Sequence, residues 1–76
     1  MNKIEIIYHS GIILKHLQEH GELSVSAIRE ITCISESDIM MAIGWLACER
    51  RILVRKYRNR INIQIAHVNA EVYSAN

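Results

Sequence analysis

The spacing of apolar residues changes at Arg51, and this change constrains the fold more than any other feature of the sequence. Before Arg51, apolar residues recur every three to four positions, which predicts amphipathic helices. After it, isoleucines alternate with polar residues over residues 61–65, and residues 52–57 alternate in a similar way. An alternation of period two predicts half-buried strands. The sequence therefore predicts helices followed by a two-stranded hairpin.

Three helices precede the hairpin in this interpretation. We expect the first over residues 3–20, the second over residues 24–31 and the third over residues 36–50. Ser24 and Ser35 are typical N-cap residues, and a glycine follows the first helix, as it often does. The residues expected on the inner helix faces are Ile6, Ser10, Ile13, Leu14, Leu17, Val25, Ile28, Ile31, Ile39, Ile43, Leu46 and Ala47.

The hairpin completes a predicted α+β fold, a winged helix-turn-helix with three helices and a basic two-stranded wing. Its strands are expected at residues 52–57 and 61–66, and Leu23 adds a short strand. Asn59 is expected to adopt the positive φ that a tight hairpin requires. We expect residues 1–66 to form this domain and residues 67–76 to form a tail, either a short helix or disordered.

Positive charge is concentrated in the hairpin. Six of the nine Lys and Arg residues lie within residues 50–60, and no Asp or Glu interrupts them. Residues 1–49 carry three bases and seven acids, so their formal charge is −4, whereas residues 50–60 carry +6. Clustered charge of one sign creates a local field that the net charge of +1 hides.

A Gly-Trp-Leu-Ala run at residues 44–47 is the most distinctive motif of the sequence. Together with Leu23-Ser24, Ile34-Ser35-Glu36 and Ile52, it resembles a small bacterial family of stand-alone winged helix-turn-helix proteins of unknown function. The resemblance covers about residues 6–66 and includes Gly11, Ile13 and Leu17 of the first helix. It implies the winged fold but no settled activity, because fold does not imply function.

The sequence departs from that family at two positions. Cys48 stands where the resemblance implies a basic residue, which removes a positive charge from the third helix. Arg50 stands where it implies a glycine at the end of that helix.

The basic hairpin is the candidate nucleic-acid interface. In a winged helix the wing lies beside the DNA backbone, where Lys and Arg neutralise phosphates. Arg55, Arg58 and Arg60 are expected to project outward, and Tyr57 to stack or donate a hydrogen bond. The alternative is a solvated hairpin whose charges protect a sheet edge from aggregation. The predicted contact residues are Arg50, Arg51, Arg55, Lys56, Tyr57, Arg58, Asn59 and Arg60.

The third helix argues for a different function. No Arg, Lys, Asn or Gln, the types that usually contact base edges, lies between Glu36 and Glu49. Met41 and Trp45 are expected to face outward, which is typical of a protein contact, unless Trp45 folds back onto the wing or the tail.

Two non-enzymatic functions therefore stay open. One is a homodimeric DNA-binding module that holds the DNA backbone through its wing, and the other is a protein-interaction module that binds no DNA. The apolar residues predicted to form an interface are Ile4, Tyr8, Ile12, Met41 and Trp45.

Residues 16–20 match the His-x-x-Glu-His pattern of zinc proteases. Such a protease also needs a third ligand, a cleft and a larger scaffold, so the expectation is two solvated histidines. Cys33 is expected to be buried in the turn between helices, and Cys48 to lie outward. We predict no catalytic residue, no cofactor and no structural metal.

Targeting and membrane signals are not evident in the sequence. The N-terminus lacks a signal-peptide pattern, and the apolar runs are far shorter than the ~20 residues of a membrane helix. The two cysteines form no Cys-x-x-Cys pair. We therefore expect a cytoplasmic protein with reduced thiols and no membrane contact. Because 50% of the residues are hydrophobic, a homodimer that covers surplus apolar surface is also expected.

Overall fold

The computed structural model describes residues 2–66, and the tail predicted at residues 67–76 lies outside them. Three helices precede a hairpin, and a third short strand joins the sheet, which confirms the predicted winged helix-turn-helix fold. In chain order the elements are α1 (Lys3–His20), β1 (Leu23–Ser24), α2 (Val25–Thr32), α3 (Glu36–Cys48), β2 (Ile52–Tyr57) and β3 (Arg60–Ile65). We call the β2–β3 hairpin the wing.

Each helix begins at a residue whose side chain caps it. Asn2, Ser24 and Ser35 each accept a hydrogen bond from the backbone N–H three residues further on, at 2.8, 3.0 and 3.3 Å respectively. Such bonds satisfy N–H groups that the first helical turn leaves without a partner. Ser24 and Ser35 were predicted from the sequence. α1 ends at Gly21, whose φ of 82° is readily adopted only by glycine.

α2 and α3 form the helix-turn-helix, bent by 117° across a three-residue turn. This angle lies within the range of about 90–120° typical of the motif. The Thr32 hydroxyl stabilises the turn by donating to the Ile28 carbonyl at 2.7 Å and accepting from the Ile34 N–H at 3.2 Å. Within residues 2–66, no single helix is long and apolar enough to cross a membrane. α2 and α3 taken together have the length and mean hydropathy of a membrane span, but they are bent by 117°.

The sheet has the strand order β1-β3-β2, and both pairs are antiparallel. Tyr57 pairs with Arg60, so only Arg58 and Asn59 form the loop of the wing. The prediction of a positive φ at Asn59 was wrong, because Arg58 adopts it, with φ of 53°. A two-residue hairpin loop needs at least one left-handed position, and the register places that position first in the loop.

The core lies between the helices and the inner face of the sheet. Two predicted core residues are exposed instead, Ile31 and Ala47. Successive steps of three residues each fall about 60° short of a full helical turn, so Ile31 drifts away from the stripe of Val25 and Ile28. The buried hydrophobic residues are Ile13, Leu17, Val25, Ile28, Ile39, Ala42, Ile43, Leu46, Ile52 and Ile63.

α3 ends in a Schellman motif that places Arg50 in a left-handed conformation. The Arg50 N–H donates to the Ala47 carbonyl at 3.0 Å, and the Arg51 N–H donates to the Leu46 carbonyl at 2.9 Å. The φ of Arg50 is 59°, at the position where such motifs usually carry glycine. A side chain with Cβ is strained there by roughly 1–2 kcal/mol.

We predict that Arg50→Gly stabilises the domain by about 1 kcal/mol, because glycine removes the steric strain of the left-handed conformation. For a domain of this size, Tm should rise by roughly 4–8 °C. Thermal unfolding followed by circular dichroism measures the shift.

Arg51→Gly is the matched control, because it removes the same charge one residue later, where φ is not positive. It should lower Tm, since glycine there only adds conformational freedom to the unfolded chain. Equal or lower stability of Arg50→Gly relative to the wild type would contradict the strain argument.

Candidate nucleic-acid interface

The wing has two different faces, because side chains alternate along each strand. On the inner face, Ile52 and Ile63 are buried against the helices. From Val54 onward every residue of β2 is exposed, so the wing extends beyond the core. The outer face carries Leu53, Arg55 and Tyr57 of β2 opposite Gln64, Asn62 and Arg60 of β3.

Four of the predicted bases are grouped at the tip of the wing. Arg55 and Arg60 are diagonal neighbours on the outer face, about 7–8 Å apart, with Tyr57 directly opposite Arg60. Arg58 lies in the loop, and Lys56 is on the other face, where the core has ended. We call Arg55, Lys56, Arg58 and Arg60 the tip bases; all four are exposed.

The tip bases are not neutralised within the described part of the chain. Among residues 2–66, no carboxylate oxygen lies within 4.0 Å of a Lys or Arg nitrogen of residues 50–60. Glu22 is hydrogen-bonded to the outer face of the wing, but its partner there is a neutral side chain. Its Oε2 accepts a hydrogen bond from the Asn62 amide at 2.8 Å. The wing therefore presents positive charge that a polyanion can neutralise.

Arg50 and Arg51 do not belong to this group. They lie at the end of α3, before the first residue of β2, whereas the tip lies beyond its last residue. A six-residue strand spans about 20 Å. The structure therefore divides the six clustered bases into two groups at opposite ends of the wing.

A cleft of about 530 Å³ separates the wing tip from the N-terminal ends of α2 and α3. Arg58, Asn59 and Arg60 line one side, and Glu36 and Met40 belong to the other. The cleft thus combines positive charge from the wing with one carboxylate from α3. An anion bound there would be attracted by the wing and repelled by Glu36.

The exposed surface of α3 carries no base. Ser37, Met41, Gly44 and Cys48 are exposed, and the exposure of Met41 and Cys48 was predicted. The sequence analysis missed Met40, which is also exposed and belongs to the same cleft as Glu36.

Trp45 does not face outward as predicted. Its ring is half-buried and packs against the core, and the Lys3 Nζ lies 5.7 Å from the ring centroid. A cation at that distance from an indole face is attracted by it. The ring thus lies against the core, with the side chain of Lys3 from α1 beside it.

α1 carries an apolar surface that the described residues leave uncovered. Ile4 is 78% exposed and Tyr8 67%, whereas Ile12 is half-buried. Ile7, which the sequence analysis missed, is exposed on the same side of the helix. We call Ile4, Ile7 and Tyr8 the α1 apolar face; Gly11 continues it and leaves open space where a side chain would stand.

The structure separates the histidine and cysteine side chains into different sites. The ligand atoms of His16, Glu19 and His20 lie within 4.8 Å of one another. Cys33 and Cys48 are outside this group, and both are exposed. The prediction that Cys33 is buried was wrong, because the residue caps α2 with φ of 61°.

Comparison with known proteins identifies the family. The fold and its wing define a winged helix-turn-helix domain. The family model described as winged helix-turn-helix domain (DUF2582) matches residues 1–65, so the chain belongs to that family. Among curated protein sequences, none matches this chain significantly.

Solved structures share the fold at low sequence identity. BpsR from Bordetella bronchiseptica, whose DNA binding is regulated by 6-hydroxynicotinic acid, matches with a TM-score of 0.68 at 13% identity, over 99% of this chain and 51% of that one. An ArsR family transcriptional regulator matches with a TM-score of 0.67 at 17% identity, over 95% and 79%. Reduced HlyU from Vibrio cholerae matches with a TM-score of 0.59 at 14% identity, over 96% of this chain and 90% of that one. This chain thus spans about half the length of BpsR.

The exposure of both cysteines predicts their reactivity. Two equivalents of thiol per chain should react with Ellman's reagent in the folded protein, because neither sulfur-bearing side chain is buried. Unfolding the protein in guanidinium should leave the count unchanged. A single reactive thiol in the folded state, rising to two on unfolding, would place one cysteine in the core after all.

Proposed function

We propose that this domain binds duplex DNA, with the tip bases contacting the phosphate backbone. The observation that carries the proposal is a group of four exposed bases with no acid of residues 2–66 in ion-pair distance. Lys and Arg that neutralise phosphates release condensed counterions, which supplies most of non-specific affinity. Tyr57, Asn59, Arg50 and Arg51 belong to the proposed surface as secondary contacts.

The same proposal includes weak discrimination between base sequences. α3 exposes Ser37, Met41 and Gly44 where side chains that contact bases usually carry long polar groups. Glu36 and Asp38 in its first turn also repel phosphates. Phosphate contacts fix position without carrying sequence information.

The structural neighbours support this choice of partner. BpsR is a protein whose DNA binding is regulated, and the ArsR family protein is a transcriptional regulator. These likenesses show the fold, and the unneutralised charge on the wing supports the same partner here. The proposed role is non-enzymatic, and contact with DNA would place the protein in the cytoplasm of a bacterial cell.

We expect DNA affinity to depend steeply on salt. If about three bases per protomer touch phosphates in a dimer, the log–log slope of affinity against salt should be near −5. Arg58→Ala combined with Arg60→Ala should flatten the slope to about −2 and weaken unrelated duplexes alike. Fluorescence anisotropy with two labelled duplexes of different sequence, over a series of salt concentrations, measures both effects.

Lys15→Ala combined with Arg29→Ala is the matched control, because it removes two charges outside residues 50–60. This control should leave the salt slope unchanged. An equal loss in both double variants would mean that only net charge matters, and no binding at low salt would reject the DNA proposal.

We also propose that the protein forms a homodimer through the α1 apolar face. Exposed apolar surface of this kind favours association, and a twofold contact uses the same patch on both copies. Met41 and the edges of Ile12 and Trp45 would extend the contact.

Replacing Ile4 and Tyr8 by Ser should convert the dimer to a monomer, because it removes the two most exposed apolar side chains of the face. Sedimentation equilibrium measures the association. Ile31→Ser, which alters an exposed apolar residue on α2, should leave the dimer intact. A wild-type protein that stays monomeric at high micromolar concentration would contradict the proposal.

A second function is favoured by the methionines. Met40 and Met41 are exposed on α3, and methionine is enriched in protein interfaces. This alternative is a protein-interaction module with no DNA binding. A retained partner that survives nuclease treatment, together with no DNA binding at low salt, would favour it over the first proposal.

A further inference from the structure

We propose that the last turn of α1 binds a divalent transition-metal ion, such as Zn²⁺ or Ni²⁺, through His16, Glu19 and His20. These residues stand at positions i, i+3 and i+4, which share one side of a helix. The rings of His16 and His20 are stacked, with centroids 6.2 Å apart and planes inclined by 15°. The third donor is close, since the His16 Nδ1 lies 3.6 Å from the Glu19 Oε1.

The donor atoms need only a small adjustment to hold an ion. All three lie within 4.8 Å of one another. Ligands about 2.1 Å from a tetrahedral Zn²⁺ are about 3.4 Å apart, so no pair of donors has to approach by more than roughly 1.4 Å. Glu19 and His20 are exposed, and rotation of exposed side chains is fast.

The chemistry of the donors selects the class of ion. Two imidazoles and one carboxylate suit Zn²⁺, Ni²⁺ and Cu²⁺, whereas Mg²⁺ and Ca²⁺ prefer oxygen donors alone. The His16 Nδ1 atom is buried and has no hydrogen-bond partner among the described residues. A metal ion would supply the partner that this nitrogen lacks.

The surroundings of the site favour a cation. His16, Glu19 and His20 lie in the last turn and a half of α1, where the free carbonyls of a helix carry partial negative charge. Glu22, two residues beyond the helix, adds a second carboxylate nearby in the chain. Lys15 is the base nearest in sequence. It stands four residues before Glu19 on the helix, so its ammonium is the charge that a bound ion must outcompete for this carboxylate.

The proposed ion site is on the surface of the domain and not in a catalytic cleft. Three protein ligands leave one tetrahedral position for water, but Glu19 and His20 are on the surface of the domain. The His-x-x-Glu-His pattern thus corresponds to a surface site, with Glu19 as a ligand. This proposal departs from the expectations of two solvated histidines and of no structural metal, because the helix places Glu19 beside both histidines.

The position of the site connects it with the wing. Gly21 and Glu22 follow His20 and lead into β1, which pairs with the central strand β3. The Glu22 Oε2 accepts a hydrogen bond from Asn62 of β3 at 2.8 Å. An ion that fixes the last turn of α1 would therefore also stabilise the segment that anchors the wing.

The test is a titration of the full chain, purified without a histidine tag, with ZnCl₂ and with NiCl₂. Isothermal titration calorimetry should give one ion per chain. At a free ion concentration of about ten times the Kd, the ion should raise Tm by roughly 5–10 °C, because it binds only the folded state. His20→Ala should weaken binding at least tenfold, since even the loss of an outer-sphere partner costs about 10–100-fold.

Two controls separate this site from others. His9→Gln should keep both the stoichiometry and the affinity, because His9 is outside the group of three. Cys33→Ser combined with Cys48→Ser should do the same. The proposal would be overturned by a wild-type protein that binds neither ion, or by an unchanged affinity in His20→Ala. Loss of binding in either control variant would also overturn it.

Discussion

The burial of Ile63 in the middle of β3 is the contact on which the rest of the structure depends. This side chain is fully buried, and its backbone pairs with Leu23 on one side and Val54 on the other. One residue therefore joins the helix-turn-helix, through β1, to the wing, through β2. Because a domain of this size buries a smaller fraction of its chain's surface than a larger domain does, few other contacts can replace it.

The wing extends away from this core. Toward its tip the side chains are exposed and more of them are charged. Ile52 is buried, whereas Val54 and all later residues of β2 are exposed. Bases at the far end of the hairpin are exposed, so phosphates could reach them without any change in the core, and the release of counterions would favour that contact. The proposed dimer surface is on α1 and the proposed DNA surface is at the tip of the wing, so the two proposals use different residues.

The helices and the alternation of the strands were predictable because both follow from local periodicity and capping. The serines at the starts of α2 and α3 and the short strand at Leu23 are confirmed. The errors concern residues whose environment depends on distant parts of the chain. Trp45 contacts Lys3 across a helix interface, and Cys33 is exposed because no other element of residues 2–66 covers the turn after α2. No local pattern contains this information.

The sequence by itself determined the order of elements, the capping serines and the confinement of the bases to one hairpin, whereas the glycine-like position at Arg50 was implied only by the family resemblance. These properties depend on neighbours a few residues apart, and periodicity, charge and cap chemistry express them directly. Only the tertiary structure decided which bases lie close together. The strand register divides Arg50 and Arg51 from the tip bases, and it places Arg58 rather than Asn59 in the strained loop position. Register is fixed by the burial of Ile63 between two partner strands, which is a long-range contact.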